Sequence, residues 1–313
     1  MYWVSYENAK GRSRVGVVKD GSIFSLGEEA QLLDILRGPE TLSTWAERAL
    51  SDPNEVVEER DVTYASLIQA PPSVRDFMAF EEHVVTSHSA LGLTVDPGWY
   101  QIPVFYFSNP AAMKAPRETI RMAPGSKCFD FELEFAAVIG RTGSDIAVED
   151  AESHIAGYTI MCDWSARDHQ ELEMRQNLGP AKGKDTATSL GPYLVTPDEI
   201  EHRRLRSGFD LEITAHVNGK RYSTGNLADI YWSFAQMISF ASRGTELRPG
   251  DVIGSGTVGT GCILELSRVH GAEAYPYLEA GDHVVIDGGI LGSIDATMEA
   301  SPEPSSLGEG RRS

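Results

Sequence analysis

The chain has 313 residues, 41% hydrophobic and 23% charged, a composition that suits a soluble globular protein of one large domain or two smaller ones. Its 46 acidic residues outnumber 27 basic ones and leave a net charge of −19, which disfavours nucleic acid and anionic membrane surfaces as partners. No apolar run approaches the ~20 residues of a bilayer span, Met1 to Glu7 holds no basic segment leading into an apolar one, and Cys128, Cys162 and Cys262 lie far apart with no C-x-x-C, so the expectation is a cytoplasmic protein with reduced thiols.

Tyr2–Tyr6, Ser13–Val18 and Ser22–Leu26 read as short strands, joined by turns at Lys10-Gly11-Arg12 and Lys19-Asp20-Gly21. Residues 28–51 are rich in Ala, Leu and Glu and predict one or two short helices. Residues 56–70 return to strand-like alternation and end at Ala70-Pro71-Pro72, the expected boundary between a small N-terminal β domain (1–70) and a main body (71–300). From Val74 to Leu91 the pattern suits a helix or a strand running into one; on a helix Asp76 and His83 would share a face. Residues 92–104 form an aromatic loop, and Val104–Phe107 is a strand.

Phe129 to Gly140 is the most informative stretch. Acidic and apolar residues alternate from Asp130 to Phe135, which is a strand signal. On a strand Asp130, Glu132 and Glu134 point to one side, with Phe129, Phe131, Leu133 and Phe135 on the other as core. Three neighbouring carboxylates repel one another, and a hard cation relieves the repulsion; the plain alternative is an edge strand with a wet face. Ile155–Cys162 reads as a buried strand that delivers Asp163 at its end, where an adjacent strand could present it to the same cation. Alone, a strand-end Asp is more often a cap or turn residue. Ser165 followed by Asp168 predicts a capping box and a helix start, with Arg167 and Gln170 on one face, before the glycine-lysine loop 181–185.

Residues 189–235 predict mostly strands with a hairpin turn at Asn218-Gly219, Ile230–Ala241 an amphipathic helix, and Asp282–Asp287 with Gly292–Met298 the last strands; Ser301–Ser313 reads as a disordered tail. Gly254-Ser255-Gly256-Thr257-Val258-Gly259 matches G-x-G-x-x-G in letters, but Cys262–Leu266 looks like a strand where a dinucleotide site needs a helix, so only a glycine-rich turn near a ligand is retained. Gly183-Lys184 lacks the spacing of a P-loop, and neither H-E-x-x-H nor G-x-S-x-G occurs, so covalent serine catalysis has no support. Taken singly, His83 reads as an ordinary helix-surface or core histidine and Lys184 as a solvated loop lysine, whereas Glu265 within an apolar strand needs a partner if it faces inward.

Together these segments resemble the fumarylacetoacetate hydrolase family. Asp130-Phe131-Glu132-Leu133-Glu134 is similar to its first metal strand, and Met161-Cys162-Asp163-Trp164-Ser165-Ala166-Arg167-Asp168 to its N-D-W-S-A-R-D run, with Cys162 in place of Asn. Leu178-Gly179-Pro180 through Lys184 resembles its L-G-P-x-x-G-K loop, Arg75-Asp76-Phe77 with His83 an R-D-F…H segment, and Gly256-Thr257 with Leu264-Glu265-Leu266-Ser267 also fit. The resemblance implies an α+β, mostly β fold: a mixed β-roll behind a small SH3-like N-terminal domain, assembled as a homodimer. It implies Asp76, Glu132, Glu134 and Asp163 as ligands of Mg²⁺ or Ca²⁺ (Mn²⁺ is also admissible), with Asp130 left out. His83 and Glu265 match a water-activating dyad; Lys184, Arg167 and Gln170 match polar residues on the substrate side; Tyr106 and Thr257 match substrate contacts. The implied activity is hydrolysis of a carbon–carbon bond in a 1,3-diketone or acylpyruvate, a small-molecule dicarbonyl substrate. The alternatives are a 2-oxo acid decarboxylase or hydratase on the same site, and a non-catalytic binding protein that kept the fold. Residues 87–100 depart from the family pattern, which leaves the acyl group unassigned.

Overall fold

The structure is a computed structural model that describes residues 1–27, 30–89, 92 and 94–306. Alternation in the Phe129–Gly140 stretch organises it. The strand Leu133–Ile139 runs antiparallel to Ile155–Asp163 on one side and to Val252–Gly254 on the other, in the middle of a thirteen-stranded sheet. Leu133, Phe135, Ala137 and Ile139 enter a core shared with Ile213, Ala215, Val284 and Ile286, which belong to a second, five-stranded sheet. Ala136 and Val138, on the other face, pack with Trp3, Leu32, Ile35 and Ala46 of the N-terminal segment. Each fully buried large side chain contributes roughly 1.5–3 kcal/mol. The wet-edge reading therefore fails, because both faces of this strand are covered and every residue in it is buried.

The sheet extends beyond the body. Tyr2–Val4 pair with Tyr193–Val195, so the N-terminal strands Tyr2–Glu7, Ser13–Lys19 and Ser22–Ser25 continue the same sheet, backed by helices Leu32–Arg37 and Leu42–Ser51. At the far edge Phe105–Ser108 pairs with Val74–Phe77, which lies parallel to Val252–Gly254. Among the described residues no helix is long and apolar enough to cross a membrane.

Several expectations are corrected. Asp76 lies on the strand Val74–Phe77 and His83 on the helix Glu81–Ser89, so they share no helical face; the intervening Met78–Phe80 turn brings the two elements together. The alternation of 56–70 yields only the short strands Val56–Glu58 and Thr63–Tyr64. The helix after Asp163 exists, at Arg167–Met174, but the capping box does not: the Ser165 hydroxyl donates to the Asp163 carbonyl, and the Asp168 carboxylate accepts from Ser126 and the Lys127 N–H. The helix expected from Ile230 begins at Phe234, behind a Ser233/Gln236 capping box. Calls at 28–29, 90–91 and 93, and at 307–313 of the tail, fall outside the described residues.

The largest correction is at Ile263–His270, which is a helix and not a strand, so Glu265 projects from a helix. Its first turn has no cap of its own. The carboxylate of Asp130 supplies one from a distance, accepting from the Ile263 N–H at 2.7 Å and the Leu264 N–H at 3.0 Å. Asp130 also accepts from Arg167 Nε at 2.8 Å, and it is fully buried. It is thus no ordinary polar residue: it ties the acidic stretch, the Arg167 helix and the Glu265 helix together, while its strand segment Phe129–Asp130 pairs with Ser165–Ala166. The dinucleotide reading still fails, now for a different reason. The helix N-terminus that would hold a phosphate already holds Asp130, and a Cβ at Gly256 (φ +75°) would collide with the Phe77 carbonyl.

Replacing Asp130 with Ala strands two helix N–H groups and uncouples a buried guanidinium. We expect a loss of about 3–5 kcal/mol in urea denaturation, as for other broken buried pairs. A loss below about 1 kcal/mol would show that the three elements are held otherwise.

Candidate active site

Sheet register assembles the carboxylates. Leu133 pairs with Cys162, so Asp163 comes level with Glu132, whose N–H donates to the Asp163 carbonyl at 3.1 Å. Asp76 pairs with Gly254, which also pairs with Ala136, so Asp76 lies two strands from the strand that carries Glu134, across from Ala136. A Cβ at Gly254 would stand 2.5 Å from Asp76 Oδ1, and its absence gives that carboxylate its room. The result is one oxygen each from Asp76, Glu132, Glu134 and Asp163, all within 4.8 Å of one another and all buried.

Such a cluster demands compensation. Lys184 Nζ donates to Glu132 Oε2 at 2.5 Å and to Asp163 Oδ2 at 2.7 Å. Arg167 Nη1 donates to Glu132 Oε1 at 2.7 Å and to Gln170 Oε1 at 3.1 Å. Tyr106, beside Asp76 on the neighbouring strand, donates its hydroxyl to Asp163 Oδ2 at 2.5 Å. The Gly256 N–H reaches Asp76 Oδ1 at 3.2 Å, so the glycine-rich turn approaches a carboxylate of the site. Thr257 follows it, buried in the same turn.

The acids divide by their neighbours. Burial pushes Glu132 up, but Lys184 and then Arg167 overcome it and hold the carboxyl below its usual range. Burial and then the Asp163 charge push Asp76 well up; burial and then the Asp76 charge do the same to Glu134. Asp163 is also raised, by burial first, against the pull of Lys184. Lys184 moves upward although burial opposes it, because Asp163 and Glu132 hold its proton. Both oxygens of Glu134, and Oδ1 of Asp163, are buried and receive no hydrogen bond. In a protein interior such orphaned carboxylate oxygens are costly. The donor set of carboxylate oxygens fits a hard divalent cation such as Mg²⁺, Ca²⁺ or Mn²⁺. When all four carboxylates are ionised, Lys184 offsets one charge and Arg167 is shared between Glu132 and Asp130, so a divalent ion would offset much of the remaining negative charge.

The second group lies beside the first. Glu132 forms a β-bridge with Cys262, the residue before the Glu265 helix. Glu265 is buried, and its Oε2 stands 3.0 Å from Nδ1 of His83, whose side chain is 12% exposed. The pair is at ion-pair distance without the alignment of a hydrogen bond, which a small ring rotation would supply. Cys262 Sγ lies 3.5 Å from the same carboxylate oxygen.

All residues singled out from sequence thus fall in two adjoining groups. Asp76, Glu132, Glu134, Asp163, Lys184, Tyr106, Arg167 and Gln170 are linked by the contacts above, His83 and Glu265 form the pair, and Thr257 lies in the turn that contacts Asp76. Sequence reasoning missed the roles of Gly254, Asp130 and Cys262. Only Gly254 carried a signal, in the glycine run.

Burial and the neighbouring charges favour the protonated forms of Asp76 and Glu134, so a cation at this cluster competes with protons. These raised carboxyls cost the metal-free protein stability as pH climbs from the ordinary carboxylate range through their folded values, and bound metal removes that cost. Addition of Mg²⁺ to chelator-treated protein therefore raises Tm, and raises it more at pH 8 than at pH 6. An equal or smaller rise at pH 8 would contradict this assignment of the acids.

A family model described as fumarylacetoacetate (FAA) hydrolase, C-terminal, matches residues 73–299. The fumarylacetoacetase of Oryza sativa subsp. japonica is 30% identical over 245 residues, 61% of this chain but only 57% of that protein. An oxaloacetate tautomerase of Bos taurus is 30% identical over 243 residues, 77% of this chain and 73% of that protein. Among solved structures, a probable 2-hydroxyhepta-2,4-diene-1,7-dioate isomerase of Mycobacterium abscessus superposes with a TM-score of 0.73 at 22% identity, covering 96% of this chain and 100% of that one. The chain spans a little over half the length of the fumarylacetoacetases it matches, and the structural match shows a shared fold.

Proposed function

The chain belongs to the fumarylacetoacetate hydrolase family, enzymes that handle small molecules at a divalent-metal site, and on that premise we propose that it hydrolyses a carbon–carbon bond in a 1,3-diketone or acylpyruvate. The observation that carries this reading is the His83–Glu265 pair, 3.0 Å apart and next to the four-carboxylate cluster. A buried carboxylate held against an imidazole is what proton removal from water requires.

Asp76, Glu132, Glu134 and Asp163 would hold the cation, which when bound supplies a Lewis acid and a template for both oxygens of a 1,3-dicarbonyl. His83 takes a proton from water while Glu265 orients the ring and stabilises its protonated form. The hydroxide adds to one carbonyl carbon. Lys184 has three protons and spends two, on Glu132 and Asp163, so the third is available to the oxygen that becomes negative. Arg167 Nη2 is buried without a partner and is a further donor, with Gln170 beside it. The leaving carbon departs as an enolate because the second carbonyl accepts its electrons, and the proton on His83 returns to it. Tyr106, already committed to Asp163, fixes that carboxylate and forms part of the wall at which substrate sits, with Thr257 a second proposed contact.

A second reading is supported by the tautomerase among the relatives, whose match covers more of the chain than that of the rice fumarylacetoacetase. On it, the same site handles a 2-oxo acid by decarboxylation, hydration or proton transfer. Incubation with Mg²⁺ and a panel of acylpyruvates and 2-oxo acids separates the two readings through loss of enol absorbance and product mass. Hydrolysis yields two fragments that together contain one added water. We expect His83→Ala to keep metal affinity within about threefold and to lose hydrolysis by about 10²–10⁴-fold. Unchanged hydrolysis by that variant would sink the dyad, and CO₂ release or isomerisation without cleavage would favour the second reading.

A further inference from the structure

His83, Cys262 and Glu265 bring a nitrogen, a sulfur and an oxygen ligand within 4.8 Å of one another. This donor set differs in kind from the all-oxygen cluster beside it. Soft and borderline ligands select zinc or cobalt over magnesium or calcium. The distances also suit. Zinc bonds its ligands at about 2.0–2.3 Å, which places tetrahedral donors roughly 3.3–3.8 Å apart. Glu265 Oε2 stands 3.0 Å from His83 Nδ1 and 3.5 Å from Cys262 Sγ, so small side-chain rotations suffice.

A second observation points into the same space. Glu265 is 1% exposed and its Oε1 has no hydrogen-bond partner, while His83 Nδ1 faces Glu265 Oε2 at 3.0 Å without an aligned hydrogen bond. Cys262 and Glu265 close the inner side, while the partly exposed His83 ring gives the outer approach. The Cys262 thiol donates to Glu265 Oε2 at 3.5 Å, but activation of water by His83 and Glu265 does not itself require sulfur at that position.

We propose that His83, Cys262 and Glu265 bind one Zn²⁺ ion at a site separate from the four carboxylates, and that this ion switches the enzyme off. On binding, the Cys262 thiol loses its proton to solvent and its sulfur becomes a ligand. His83 Nδ1 gives its lone pair to the metal, and Glu265 gives a carboxylate oxygen. The imidazole is then immobilised as a ligand and no longer supported by Glu265 as a base. The inhibitory clause rests on the hydrolase reading; the binding clause does not.

The test is spectroscopic. The full-length protein, saturated with Mg²⁺ to fill the oxygen site, is titrated with Co²⁺. A thiolate-to-cobalt charge-transfer band in the near ultraviolet should grow and saturate at one equivalent, and Zn²⁺ should erase it. Cys262→Ser should lose the band, and Cys128→Ser, at the half-buried thiol, should keep it. His83→Gln, a change on a partly exposed helix face, should also lose the band, which covers the case in which the buried serine variant fails to fold. Absence of the band in the wild type, or its survival in either Cys262→Ser or His83→Gln, overturns the site, whatever becomes of the hydrolase reading. With a turned-over acylpyruvate in hand, Zn²⁺ should lower the wild-type rate at least tenfold, and the half-inhibiting concentration should rise at least tenfold in Cys262→Ser. Equal inhibition of both would place the zinc on the carboxylates and overturn the switch.

Discussion

Everything in this structure turns on the mutual repulsion of Asp76, Glu132, Glu134 and Asp163, four carboxylates buried within 4.8 Å of each other. No fold tolerates that arrangement without compensation. Lys184 clamps Glu132 to Asp163, Arg167 braces Glu132 from behind, and the Tyr106 hydroxyl and the Gly256 N–H each take one more oxygen. After all of these, Glu134 remains without a donor. That residual negative charge is the physical ground on which we propose a divalent cation here.

The surrounding architecture holds the charges in place. Two apolar cores on opposite faces of Leu133–Ile139 fix that strand, so Glu132 and Glu134 cannot swing toward water. Asp130, next in the acidic row, has another task. It caps the helix that carries Glu265 and holds Arg167 by its Nε. Two adjacent acids of the row therefore govern the two halves of the proposed chemistry: Glu132 belongs to the cation cluster, and Asp130 positions the helix of the water-activating pair.

The strands of the fold were legible where alternation was strong and turns were marked, as in the N-terminal hairpins and at Asn218-Gly219, where both residues adopt positive φ. The acidic row was legible because three carboxylates on one strand face require an explanation. That Asp130 would leave the cluster came only with the family resemblance, and its capping role was invisible because its partners lie more than 130 residues away. The helix at Ile263–His270 was misread for the same reason. Its local sequence is a short apolar run, equally suited to a buried strand, and its cap comes from Asp130 instead of from its own Cys262. For Asp76 the sequence left a helix and a strand running into a helix both open, since four residues of strand before a turn carry too little pattern to separate from a helix start; the second is what forms. Gly254 mattered for what it lacks, a side chain against the Asp76 carboxylate, and no single sequence reports that.

The central claim is that these four carboxylates form one cation site, and diffraction from Mn²⁺-soaked crystals of the protein tests it most directly. The account predicts a single strong anomalous peak bonded to oxygens of Asp76, Glu132, Glu134 and Asp163, with Lys184 alongside. A manganese ion bound elsewhere, with these carboxylates left to Lys184 and shared protons, would contradict it.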